Sequence, residues 1–151
     1  MNLPTREELN VDDSLDERCA CQHFIGKTLE QAEELFRENF LYYQEDLSHM
    51  GPLAFRFYVP AAVNYIQSDA ALGDSDAINC FIGMLELRWN HERKDLLPMV
   101  QQLSSACTFI LENYSRFDVN EEIYGDLCVR YTMIRALFQN PPKSIILGPP
   151  A

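Results

Sequence analysis

Two short stretches of this 151-residue chain carry side chains whose types and spacing could perform chemistry. The first is the run Cys19-Ala20-Cys21-Gln22-His23, in which two thiols and an imidazole stand at every second position. Thiolate and imidazole are ligands that Zn²⁺ prefers, and alternate spacing brings side chains to one face of an extended segment. Since only His49 or His91, brought in by folding, would complete the set, we favour three unrelated residues and predict no metal or cofactor.

The second stretch runs from position 42 to position 65 and mixes titratable groups with apolar residues. Its carboxylates and His49 can form an acid–base pair, and Arg56 can clamp an anion. The alternative is structural, because a buried Arg56 needs a carboxylate partner such as Glu45 or Asp46, and core tyrosines satisfy backbone groups. We favour the structural interpretation. The candidate binding residues are Tyr43, Glu45, Asp46, His49, Arg56 and Tyr58.

Sequence motifs for the common enzyme classes are missing from the chain. It has no glycine-rich phosphate loop, no dinucleotide fingerprint, no nucleophile elbow and no zinc-protease helix, and it contains only six glycines. We therefore expect a non-enzymatic protein and name no catalytic residue. A small enzyme or ligand-binding protein with a pocket around Glu45, His49 and Arg56 is the alternative.

The composition limits the location and the partners of the chain. It is 47% hydrophobic, enough for a substantial core, and no apolar run approaches the length of a membrane span. The acidic N-terminal stretch lacks the features of a secretory signal, and the odd set of five cysteines favours reduced thiols. We therefore expect a cytoplasmic protein. A net charge of −11 disfavours binding to nucleic acid.

The negative charge is concentrated at one end of the chain. Residues 1–46 contain 12 acidic and four basic residues, a net charge of −8. This asymmetry predicts a protein-binding module with an acidic face for a basic partner, formed by Glu30, Glu33, Glu34 and Glu38. A homodimer is a further possibility. Trp89, with Arg88 and Arg93 nearby, is either an interface anchor or a core tryptophan, and we favour the core.

The apolar residues recur at helical spacing almost throughout, which predicts an all-α bundle of five or six helices. Capping boxes begin at Thr5, Ser14 and Thr28, while Asp95 and Asn120 are expected to cap later helices. Pro60 predicts a kink at Val59–Pro60. We expect a flexible acidic arm over residues 1–13, one helical domain over 14–139 and an extended proline-rich tail over 140–151.

The sequence around Pro52 is also familiar as a pattern. Met50-Gly51-Pro52, Ala54-Phe55-Arg56, Tyr58 and Pro60-Ala61 together follow the pattern M-G-P-x-A-F-R-x-Y-x-P-A. In this the chain resembles a group of small acidic bacterial proteins without an assigned function, and the likeness extends over residues 23–90. The resemblance implies a compact helical fold and no particular activity. The small size and acidity are similar to those of immunity proteins of bacterial toxin systems, which implies dependence on a partner.

Overall fold

The computed structural model describes residues 2–142 and contains only helices and connecting segments within that range. The prediction of an all-α fold is confirmed. The chain divides into two compact units, one ending at Ala71 and the other beginning at Leu72. This division concerns packing within the chain, and the single domain over residues 14–139 stays a prediction. The predicted extended tail lies outside the described residues from position 143 onwards.

Over residues 2–71, the first unit contains four α-helices. Their bounds are Arg6–Leu9 (α1), Leu15–Phe24 (α2), Leu29–His49 (α3) and Pro52–Gln67 (α4), followed by a 3₁₀ turn at Asp69–Ala71. All three predicted capping boxes are present. The side chains of Thr5, Ser14 and Thr28 each accept a hydrogen bond from the backbone N–H three positions later. The side chain of that later residue accepts one from the backbone N–H of the cap. Local sequence therefore sets where these helices begin, since the capping groups lie within one turn of each other.

The second unit also contains four α-helices over its described residues, 72–142. They are Ser75–Leu96 (α5), Val100–Glu112 (α6), Glu121–Tyr124 (α7) and Leu127–Gln139 (α8), with 3₁₀ turns at Leu97–Met99 and Tyr114–Phe117. One predicted cap is wrong here, at Asp95, and the other, at Asn120, is confirmed for a shorter helix than expected. Asp95 lies inside α5, and α6 begins after the 3₁₀ turn without a side-chain cap. Asn120 caps the short α7, while the last long helix is capped by Asp126 beyond a glycine with φ of 74°.

The N-terminal residues are packed rather than forming the expected flexible arm. Leu9 is completely buried, and its carbonyl oxygen accepts a hydrogen bond of 3.3 Å from the backbone N–H of Gly51. The carboxylate of Glu17 accepts from the N–H groups of Val11 and Asp12 at 3.0 and 2.9 Å. These contacts hold the connector between α1 and α2. The correction follows from one apolar residue, because burying Leu9 brings the polar backbone around it into contact with α2 and α4.

Pro60 does not divide α4, which runs as a single helix from Pro52 to Gln67. Non-helical backbone angles occur instead at Asn39 inside α3 and at Glu92 inside α5. Neither position carries proline or glycine. The helix is thus continuous at Val59–Pro60, where the kink stays a prediction, and the breaks in backbone angles lie at two polar residues of other helices.

Gly51 tests the packing of the N-terminal residues. A Cβ atom there would collide with the carbonyl oxygen of Glu8 and lie 2.5 Å from Cγ2 of Val11. We expect Gly51→Ala to lower the free energy of unfolding by about 1–3 kcal/mol through this overpacking. Urea denaturation followed by circular dichroism measures the change.

Gly83 inside α5 is the matched control, since a Cβ atom there meets nothing within 4 Å. Gly83→Ala should raise the free energy of unfolding by roughly 0.5–1 kcal/mol, because alanine loses less conformational entropy in a helix. If Gly51→Ala proves as well tolerated as Gly83→Ala, the residues before Asp13 are not packed as described.

Candidate functional site

A cluster of polar side chains in the first unit lies where the last turn of α2 meets the second half of α3. Nδ1 of His23 lies 2.7 Å from Oδ2 of Asp46. Asp46 is buried, whereas His23 is partly exposed. An ionised carboxylate can only accept a hydrogen bond, so Nδ1 carries the proton in this pair. Nε2 is left as the ring nitrogen that can exchange a proton.

Two tyrosines surround the imidazole. The hydroxyl of Tyr42 lies 3.3 Å from Nε2 of His23. The rings of Tyr42 and Tyr43 both have their centroids 5.3 Å from that of His23, and Tyr43 approaches edge-on. Burial raises the pKa of Tyr43, with the negative charge of Glu38 acting in the same direction. The imidazole is thus held on three sides, with its outer nitrogen next to an exposed hydroxyl.

The break in α3 positions these groups. Asn39 has φ −160° and ψ 86°, and its side-chain oxygen accepts a hydrogen bond of 3.1 Å from the N–H of Tyr42. Asn39 therefore caps the second half of α3 as an N-cap residue caps a new helix. Tyr42 and Tyr43 fall in its first turn, four and three residues before Asp46. Because that spacing places side chains on one helix face, all three meet His23.

A buried tyrosine fixes the other side of the site. The hydroxyl of Tyr58 on α4 lies 2.8 Å from the carbonyl oxygens of both Phe24 and Lys27. These carbonyls belong to the end of α2 and the turn after it, where Gly26 adopts a φ of 74°. Burial raises the pKa of Tyr58 to about 12, so it stays a hydrogen-bond donor. The structural interpretation of the core tyrosines fits this contact.

Electrostatics at the pair are dominated by the burial of the carboxylate. Burial raises the pKa of Asp46, and the hydrogen bond and charge of His23 offset this effect only in part. Glu17 at the start of α2 shows the opposite balance, since hydrogen bonds from Ser14 and three backbone N–H groups outweigh burial and lower its pKa. Folding thus raises the pKa of one buried carboxylate of this unit, Asp46, and lowers the pKa of another, Glu17.

Two of the remaining candidate residues of the second stretch, Glu45 and His49, lie at the surface instead. Glu45 is exposed, and His49 is exposed with its Nε2 atom 3.9 Å from a carboxylate oxygen of Asp16. Arg56 lies half-buried on α4, and the hydrogen-bond partner of Asp46 is His23. The structure therefore gathers Tyr43 and Asp46 around His23, with Tyr58 behind them. Tyr42 lies in the second stretch but is not one of the predicted binding residues. Its position four residues before Asp46, which puts both on one helix face, is the sequence signal for it.

The three candidate metal ligands, Cys19, Cys21 and His23, all lie on α2, and helical geometry turns their side chains in different directions. Residues two apart on an α-helix point in directions about 200° apart, so alternate spacing does not converge there. Cys19 is exposed, Cys21 is buried with Nη1 of Arg6 3.8 Å from its sulfur, and His23 faces Asp46. Over residues 2–142, no group of three or more histidine, cysteine or acidic side chains is placed to hold a metal ion.

Arg37 partly neutralises the glutamates of α3 that were predicted to contact a partner. Nη2 of Arg37 lies 3.0 Å from Oε1 of Glu33, and Nη1 pairs with Glu34. Glu30, Glu34 and Glu38 are exposed, and Glu33 is half-buried. Arg37 therefore offsets part of the negative charge of Glu33 and Glu34 on this helix.

Comparison with known proteins identifies no family model, curated protein or solved structure that matches this chain. In the part of the chain that the structure describes, no helix is both long and apolar enough to cross a membrane. The function must therefore be inferred from the geometry.

The pKa of Asp46 predicts a pH-dependent stability. Because burial raises that pKa, the folded protein holds the proton of Asp46 more tightly than the unfolded chain does. The contribution of Asp46 to stability therefore falls as the pH rises above about 4, the ordinary pKa of an aspartate. Asp46→Asn cannot ionise, so the variant should gain stability relative to the original protein over this range.

Urea denaturation at a series of pH values measures the difference between Asp46→Asn and the original protein. Glu45→Gln, which removes an exposed carboxylate one position away, is the control for the loss of a negative charge. Parallel curves for the original protein and Asp46→Asn would contradict the prediction.

Removal of the Tyr58 hydroxyl should weaken the site as well as the fold. Tyr58→Phe leaves the carbonyl oxygens of Phe24 and Lys27 without this donor, which should cost about 1–3 kcal/mol of unfolding free energy. The NMR resonances of the His23 ring should shift because its helix turn loosens. Tyr42→Phe is the control, since loss of an exposed hydroxyl should change stability by less than about 0.5 kcal/mol. Equal stabilities of the two variants would show that Tyr58 does not anchor α2.

Proposed function

We propose that this chain is a protein-binding module whose first unit recognises a basic partner protein. The binding face consists of Glu30, Glu34, Glu38, Leu41, Tyr42 and Glu45 on α3, and we call it the acidic face. One observation carries the proposal: Leu41 and Tyr42 are 54% and 55% exposed, and they stand between the exposed carboxylates Glu38 and Glu45.

Charge alone does not distinguish a binding face from a surface that is merely hydrated. Interfaces combine a few large side chains, tyrosine prominent among them, with a polar rim that selects the partner. Leu41 and Tyr42 supply the apolar contact area, and the surrounding carboxylates supply the rim. The hydroxyl of Tyr42 lies 3.3 Å from Nε2 of His23, so this anchor has a preferred position before any partner binds.

The net charge of residues 1–46 supports a basic partner. Their charge of −8 attracts a positively charged protein over a distance of about one Debye length, roughly 8–10 Å at physiological salt. Association is then steered by the carboxylates, while Leu41 and Tyr42 limit dissociation. The predicted homodimer involves no charge complementarity on this face, because two copies would bring like charges together.

A charge reversal with a matched control tests the proposal. The immobilised chain captures proteins from a lysate, and a captured protein is identified, purified and titrated by calorimetry. Glu38→Lys combined with Glu45→Lys should weaken its binding by at least about tenfold, and Leu41→Ala should weaken it by several-fold. Glu112→Lys combined with Glu122→Lys makes the same change of net charge at exposed positions of the second unit and should leave binding unchanged.

The controls separate a specific face from a general charge effect. If both double variants lose affinity equally, attraction depends on net charge and the acidic face is not the site. If Leu41→Ala binds as tightly as the original protein, the apolar contacts assigned to α3 are absent from the complex.

A further inference from the structure

The hydroxyl of Tyr42 stands next to a nitrogen that can take its proton. It lies 3.3 Å from Nε2 of His23, and Nδ1 of His23 lies 2.7 Å from Oδ2 of Asp46. A hydroxyl within reach of a base, with the base held by a third group, is the arrangement that activates nucleophiles in enzymes, and the first contact is often long before a substrate binds. No catalytic residue is predicted from the sequence, because 19 and 23 positions separate His23 from Tyr42 and Asp46.

The hydrogen bond to Asp46 determines which nitrogen of His23 can act as the base. An ionised carboxylate only accepts a hydrogen bond, so the proton of the neutral imidazole lies on Nδ1 and Nε2 keeps its lone pair. The side chain of Asp46 is 8% exposed and that of His23 is 23% exposed. The contact between Nε2 and the Tyr42 hydroxyl is itself exposed. The pair is therefore fixed on its buried side and accessible to a small molecule on the side of Tyr42.

The charges around the site select the kind of molecule that can react there. The negative charge of Glu38 acts on Tyr43, and that of Glu45 acts on Asp46. Carboxylates at this distance stabilise the imidazolium that forms when His23 takes a proton, and they repel phosphate and other anions. They also disfavour a free phenolate, so the proton of the tyrosine leaves as the new bond forms. An uncharged ester therefore suits the site better than a phosphoryl donor.

We propose that Tyr42 accepts an acyl group from an uncharged ester, with His23 as the base and Asp46 as the positioning residue. The phenol oxygen of Tyr42 forms a bond to the carbonyl carbon of the ester while its proton passes to Nε2 of His23. The bond between that carbon and the alkoxy oxygen then breaks, and the departing oxygen takes the proton from Nε2. The products are an alcohol and an acyl ester of Tyr42, and the imidazole returns to its starting form.

A tyrosine of the second unit provides an internal comparison. The hydroxyl of Tyr124 donates a hydrogen bond to the carboxylate of Asp76, and this bond raises the pKa of Tyr124. A carboxylate is a weaker base than an imidazole, so it takes the phenol proton less readily. Tyr124 should therefore react slowly with the esters that acylate Tyr42.

The probe is p-nitrophenyl acetate, added to the full chain at about pH 8. Release of nitrophenol gives the total rate, and mass spectrometry of peptides from a digest at acid pH locates each acetyl group. This mapping separates Tyr42 from the exposed thiol of Cys19 and from lysines, which also react with such esters. Tyr42 should be acetylated at least about 100-fold faster than Tyr124, the lower end of what a positioned base contributes.

Two variants separate the base from its positioning residue. His23→Gln removes the base and should slow acetylation of Tyr42 about 100-fold. In Asp46→Asn the amide can donate to Nδ1, which moves the ring proton to Nε2, and the rate should fall by at least about tenfold. Nitrogen-15 NMR of the His23 ring reports this change of tautomer. Because Asp46→Asn is expected to be more stable than the original protein, unfolding cannot account for its slower reaction.

The control is Asp76→Asn, which makes the same change beside Tyr124 and should leave acetylation of Tyr42 unchanged. Equal rates at Tyr42 and Tyr124, or an unchanged rate at Tyr42 in His23→Gln, would overturn the proposal. Nitrophenol release that persists in Tyr42→Phe and disappears in His23→Gln would make the imidazole itself the nucleophile and would also overturn it. The reaction needs no partner protein, so its outcome is independent of the binding proposed for the acidic face.

Discussion

The position of the candidate site depends on a single buried hydroxyl. The last carbonyl groups of a helix have no partner within it and must be satisfied by other groups. In the first unit, the Tyr58 hydroxyl lies 2.8 Å from both the Phe24 and the Lys27 carbonyl oxygens, so a side chain of α4 fixes where α2 ends. His23 immediately precedes Phe24, so this contact fixes the helix turn that carries the imidazole, while Asp46 and the rings of Tyr42 and Tyr43 orient it. A core requirement, satisfaction of buried backbone groups, thus sets the geometry of a surface site.

Because α3 is broken at Asn39, its two halves play different parts in the structure. Before Asn39, the helix exposes most of its carboxylates and offsets part of their charge with Arg37. After Asn39 it buries Gln44, Asp46 and Leu47. The amide of Asn39 compensates for the interrupted helix by accepting from the Tyr42 N–H, so the change of direction costs less than an uncapped break would. The acidic face and the His23 pair therefore share one helix and one cap.

Local features of the fold could be predicted from the sequence, and contacts between distant residues could not. The caps at Thr5, Ser14 and Thr28 depend on groups three residues apart, and the buried row of α8 depends on spacings of three and four. The hydrogen bond between His23 and Asp46 joins residues 23 positions apart, and local spacing suggested other partners for both. The breaks at Asn39 and Glu92 have no sequence signal of the kind that proline or glycine gives. The salt bridge from Arg37 to Glu33 was readable from its spacing of four, and it reduces the charge of the face assigned to α3.

Exposed apolar side chains distinguish a charged surface that can bind another protein from one that is only hydrated. Carboxylates alone would suffice to keep a surface hydrated, and burial of Leu41, Tyr42 and Met133 would lower the free energy of the folded chain. Leu41 and Tyr42 are instead more than half exposed between the carboxylates Glu38 and Glu45. Met133 is more than half exposed as well, in a groove where Arg130 pairs with Glu86. A carboxylate brought to Leu41 and Tyr42 would meet like charge from Glu38 and Glu45, so the charge of this surface disfavours acidic groups there.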